Sequence, residues 1–177
     1  MDKLTPKQTS KGAEEIVLTQ IKQDFITPAN AIFDYVDMAE KALIDAQLES
    51  TDEIEQIKSS CSKLIDQYDV AFVQNTGVNA DSSKKSPEEY SELRHNLRTP
   101  LNAIIGYSEI LMEDYEDDLD EGTLEDFQQI INLARETETA IEKFVDFIRG
   151  EAVDIKDDNS SNQLQSAESL FKSLGEI

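Results

Sequence analysis

A chain of 177 residues with 38 acidic against 16 basic side chains carries a net charge of -22, which argues against nucleic acid and anionic membranes as partners, because both repel a surface of that sign. The length suits one domain with a tail or two small units, and no apolar run approaches the ~20 residues needed to cross a bilayer. The single cysteine, Cys61, leaves no internal disulfide, and with no charged-then-apolar leader the chain reads as cytoplasmic.

Thr5-Pro6-Lys7-Gln8 reads as a capping box with proline at the first helical position. From about Ala13, the residues Ile16, Val17, Ile21, Phe25, Ala29, Ile32, Val36 and Leu43 keep helical spacing and predict one long helix ending near Gln47. Ser50 and Glu53 form a capping box for a second helix, whose apolar stripe is Ile54, Ile57, Cys61, Leu64, Tyr68, Ala71 and Phe72. Cys61 sits on that stripe as a small core residue without a redox role. Periodicity stops near Gln74, and residues 76–85, rich in Gly, Asn, Asp and Ser, read as a linker.

Ser86-Pro87-Glu88-Glu89 opens a third helix with a capping box, and Leu93, Leu97, Leu101, Ile104, Ser108 and Leu111 carry its stripe to about Tyr115. Thr123 with Asp126 is a weaker start for a fourth helix, and Arg149-Gly150 is its stop. The acidic turn from Glu113 to Gly122 invites a calcium-loop reading, but counting back from Gly122 puts Leu119 where a ligand is needed. It is read as a solvated turn, with no metal site. Residues 151–177 form a polar tail in which Leu164, Leu170, Phe171 and Leu174 hint at a short amphipathic helix.

Lys22 to Met38 aligns without gaps on Arg94 to Ile110: Thr27-Pro28 falls on Thr99-Pro100, Asn30-Ala31-Ile32 on Asn102-Ala103-Ile104, and Tyr35 on Tyr107. The second helices agree at one constant offset, Ile54 to Phe72 falling on Phe127 to Val145. Such a repeat predicts two copies of one unit: a hairpin over 1–75 and another over 86–150. Neither hairpin can bury its apolar face alone, so the fold is predicted to be all-α, an antiparallel four-helix bundle of two tandem hairpins. The duplicated chain can close as a monomeric pseudo-dimer; the competing arrangement is a homodimer.

His95 is the only histidine, and it lies about 200° around the third helix from Leu97, away from the core. By itself it reads as an incidental surface imidazole. The string His95-Asn96-Leu97-Arg98-Thr99-Pro100-Leu101-Asn102-Ala103-Ile104-Ile105-Gly106-Tyr107-Ser108, however, closely resembles the H-box of sensor histidine kinases, in their HisKA-type dimerisation and phosphoacceptor domain. In the gapless alignment Gln23 stands where His95 stands, so the first copy is degenerate.

The resemblance implies that His95 receives a phosphoryl group on a ring nitrogen and exchanges it with an aspartate of a receiver domain. With a reference pKa near 6.5, a solvent-facing imidazole keeps a neutral, nucleophilic nitrogen. Arg94 and Arg98 either offset the charge of the transferring group or make ordinary salt bridges on the helix surface. Thr99 matches the position where a hydroxyl orients water for dephosphorylating the receiver; capping or plain exposure is its other reading. Pro100 predicts a kink just beyond the histidine. Asn96 departs from the Glu or Asp that usually follows the histidine as a base, which counts against efficient autokinase chemistry.

With six glycines and no Gly-rich nucleotide loop, the chain reads as a phosphorelay module without autonomous kinase activity. It needs no cofactor of its own; Mg²⁺ is expected at the receiver and ATP only through a separate kinase domain. Docking is expected around His95 and the first turns of the fourth helix, with Ile105 and Leu124 as exposed apolar contacts. The alternatives are a non-catalytic docking module of a larger signalling protein and the phosphoacceptor fragment of a complete histidine kinase.

Overall fold

The computed structural model describes residues 6–48, 51–77 and 85–150. They form four helices, α1 (Pro6–Asp45), α2 (Thr51–Thr76), α3 (Pro87–Asp114) and α4 (Glu121–Arg149), and among the described residues there is no strand. The helices make an antiparallel four-helix bundle of two hairpins. Each helix packs on its two neighbours, α1 on α2 and α4, and α3 on α2 and α4. The chain thus closes the bundle by laying α1 along α4 and α2 along α3, which buries the stripe that each hairpin leaves bare.

The helix ends follow local chemistry. Ser86 caps α3 in a reciprocal box: the Glu89 backbone N–H donates to Ser86 Oγ at 3.3 Å, and the Ser86 N–H donates to Glu89 Oε2 at 2.6 Å. Helix α4 closes on Gly150 at φ 79, a left-handed position that glycine takes without strain. Helix α1 stops at Asp45, two residues before Gln47, which adopts φ 58 while the Leu48 N–H donates to the Leu43 carbonyl.

Three expectations are corrected. The cap of α4 is Asp120, whose carboxylate accepts from the Thr123 N–H at 2.7 Å and from its hydroxyl at 2.9 Å, so Thr123 is the third residue of the helix and not its cap. Those two bonds, the backbone one first, hold the Asp120 carboxyl below its usual pKa. Helix α2 runs to Thr76, past the break in periodicity at Gln74, because Asn75 and Thr76 each donate a side-chain hydrogen bond back to the carbonyls of Ala71 and Phe72. Ile105 and Leu124, expected to be exposed, are half-buried, and the exposed apolar residue on α3 is Ile110 at 44%. The caps expected at Thr5 and Ser50 and the tail helix of 151–177 lie outside the described residues.

The core is one cluster drawn from all four helices, each fully buried aliphatic or aromatic side chain contributing roughly 1.5–3 kcal/mol. Its aromatic part lies where α1, α2 and α4 meet. Phe25 stacks on Tyr68 with ring centroids 3.5 Å apart, and Phe144 lies 5.1 Å from the same tyrosine. Pro28 and Pro100 are both buried inside continuous helices.

Candidate functional site

His95 lies in the third turn of α3, and its alternation with the buried stripe turns it to solvent: Leu97 is 1% exposed, whereas His95, Asn96 and Thr99 are all exposed. Among the described residues no hydrogen bond or ion pair uses the imidazole. One turn on, the Thr99 hydroxyl donates to the His95 carbonyl at 2.9 Å. That bond occupies the Thr99 hydroxyl and reinforces the turn just before Pro100, which lacks the backbone donor its position would otherwise supply.

Arg94 and Arg98 emerge on the side of α3 that faces α4, and both are ion-paired there. Glu142 serves the two at once, with Oε2 at 2.8 Å from Arg94 Nε and Oε1 at 2.8 Å from Arg98 Nη2. Arg98 Nε also reaches Glu138 at 3.1 Å, and Arg94 Nη2 reaches Asp146 at 3.7 Å. The arginines therefore form a ladder of charges with α4 beside the imidazole. Both arginines are candidates from the sequence and their partners are not, although the four-residue spacing of Glu138, Glu142 and Asp146 is the sign of an acidic stripe.

The other flank of His95 differs. Asn96 and Leu93 line a groove of about 330 Å³ against Asp66, Val70 and Gln74 of α2. At the matching place between α1 and α4, Asp24 pairs with Lys143 at 3.5 Å. Further along, α3 and α4 frame a groove of about 370 Å³ floored by Met112, Leu124 and Ile131 and edged by Glu109 and Arg135. Between α1 and α2 the matching place is occupied by Lys58, paired with Glu40 at 2.6 Å and Asp37 at 3.0 Å. The hydrogen bond that Lys58 donates to Glu40, then that to Asp37, raises the Lys58 pKa above its ordinary value.

This surface lies within a stretch of known kind. Residues 89–153 match the His Kinase A (phospho-acceptor) domain family. The match takes in α3 and α4 and ties that hairpin to histidine kinases and to two-component signalling in general, in which such domains work with kinase catalytic and receiver partners. No curated protein and no solved structure matches the chain.

Cys61 is buried, and burial pushes its thiol up to about 12. Among the described residues no group of three or more His, Cys, Asp or Glu side chains is placed to hold a metal ion. No described helix is long and apolar enough to cross a membrane.

Proposed function

We propose that the chain is a phosphotransfer module in which His95 accepts a phosphoryl group and exchanges it with a receiver-domain aspartate. In the step from the receiver, a ring nitrogen of His95 bonds to phosphorus, the aspartyl oxygen–phosphorus bond breaks, and the carboxylate leaves with the electron pair. Mg²⁺ belongs to the receiver in this reading, and ATP acts only through a separate kinase domain. The observation that carries the proposal is an exposed, unengaged imidazole inside the stretch that matches the phosphoacceptor family.

The reading extends to the first hairpin as a degenerate copy with Gln23 in place of the histidine, and to the whole chain as a monomeric pseudo-dimer with one live site. Two features support it. Matching positions are buried in both halves, among them Phe25 and Leu97, Ile32 and Ile104, Ile57 and Ile130, and Tyr68 and Ile141. The hairpins also bury their stripes on each other within one chain. In this reading the receiver docks on the α3–α4 groove lined by Met112 and Leu124, where the first half instead carries the Lys58 ion pairs.

The test is transfer from a phosphorylated receiver. The intact chain is expected to gain acid-labile, base-stable phosphate, and His95→Gln to lose all of it with an unchanged melting curve; label persisting on that variant refutes the proposal. Asn96 favours a second reading, docking without phosphoryl chemistry, because its amide cannot take a proton. In that case the receiver binds and keeps its label.

A further inference from the structure

We propose that Glu138 and Glu142 of α4 are positioning residues that govern how readily His95 takes a phosphoryl group, by holding Arg94 and Arg98 in ion pairs along α4. The inference rests on the phosphoacceptor reading of His95 and deepens it.

The ladder Glu138–Arg98–Glu142–Arg94–Asp146 contains three carboxylates and two guanidinium groups, so it carries a net negative charge beside the imidazole. An incoming phosphoryl group is negative too and is met by repulsion unless a cation is free to face it. Arg98, three residues after His95, is the nearer candidate, since residues so spaced are neighbours on a helix surface. Its fork is divided between two α4 carboxylates, Nε on Glu138 and Nη2 on Glu142, so the positive charge it offers a phosphoryl oxygen is offset by theirs and its orientation is set by them. The side chains of Arg98, Glu138 and Glu142 are 41%, 40% and 32% exposed. Solvent weakens pairs at that exposure, although Arg98 Nε and Glu142 Oε1 are themselves covered.

A second, independent observation places the ladder on the His95 side alone. At the positions matching Arg94 and Glu142, the first hairpin has Lys22 and Asp69 at 3.8 Å. At those matching Arg98 and Glu138 it has the half-buried apolar residues Ile26 and Ile65. The bundle is thus held together at that level without a doubly bridged ladder, and the need to join the helices does not explain why one runs beside His95.

The probe is phosphoramidate, which needs no receiver. A ring nitrogen of His95 bonds to phosphorus while the phosphorus–nitrogen bond of the donor breaks and ammonia leaves, taking up the proton. In the intact chain, Glu138→Gln with Glu142→Gln is expected to speed labelling by about three- to tenfold at low salt, an advantage that shrinks as salt screens the charges. Arg98→Ala is expected to slow it by a similar factor. Loss of packing alone does not produce a gain in rate. Should the double variant melt below the assay temperature, Glu138→Gln alone keeps Glu142 on both arginines and is expected to give a smaller gain. Labelling of His95 at an unchanged or lower rate in folded variants overturns this inference alone. Absence of label from every variant and from the parent chain overturns the phosphoacceptor reading with it.

Discussion

The two hairpins agree where the bundle demands it and differ where it does not. Phe25 and Leu97, Ile32 and Ile104, and Tyr68 and Ile141 are matching pairs, all at 0–1% exposure. On the outer faces the matches dissolve: Gln23 against His95, Ile26 against Arg98, Ile65 against Glu138, and Lys58 between Asp37 and Glu40 against the open floor of Ile131 and Met112. A four-helix core restricts only a stripe on each helix. The remaining positions are free to carry an exposed imidazole on one side and other surface chemistry on the other.

The largest expected effect comes from moving the phosphoacceptor. His95→Gln combined with Gln23→His puts the imidazole on the first hairpin, where Lys22 and Ile26 stand in place of Arg94 and Arg98, and Asp24 is paired with Lys143. If the surroundings of His95 matter, acid-labile labelling by a phosphorylated receiver stays below about one-hundredth of the parent rate, as losing both the docking surface and the Arg98 fork implies. Recovery to near the parent rate would mean that the two faces are equivalent and that the comparison has no functional content.

How much of this was legible beforehand depended on distance along the chain. The four helices, the Ser86 box and the Gly150 stop follow from spacings of three and four residues and from turn chemistry, all local. The ladder was not legible, because Arg98 and Glu138 are brought together only when α3 and α4 pack in register. The cap of α4 was misplaced because Asp120 and Thr123 are both good caps, and only the geometry of Thr123 donating twice to Asp120 ranks them. The place of His95 on an exposed face was readable from Leu97, two residues away. The α3–α4 groove was not, since its lining comes together only when the two helices pack.

A middle-sized effect separates the two cores. Phe25 loses a stacked ring contact with Tyr68 when cut to alanine, whereas its counterpart Leu97 has no ring to stack. Phe25→Ala is expected to cost about 4–5 kcal/mol and Leu97→Ala about 3 kcal/mol, the difference reflecting both cavity size and ring stacking. Urea melts of the two variants check the order. Equal costs would show that the aromatic cluster adds no more than its volume.

The smallest effect concerns Lys58, the residue that fills the first hairpin where the second is open. Its side chain is 31% exposed and its partners Asp37 and Glu40 are 67% and 34% exposed, so the pairs contribute only about 0.5–1 kcal/mol. Lys58→Met, which copies the apolar character of Met112 and Ile131, is expected to cost no more than that at pH 7. The sign of the pH dependence identifies the cause. Because the Lys58 pKa is raised in the fold, its contribution is fully present below the ordinary value of 10.5 and is lost as the pH climbs through the raised one. The gap between parent and variant in urea melts is therefore expected to persist at neutral pH and to close in strong alkali. A gap that stays constant across that range would assign the difference to packing of the lysine stem against the α1–α2 groove, and the two halves would then differ in shape alone rather than in charge.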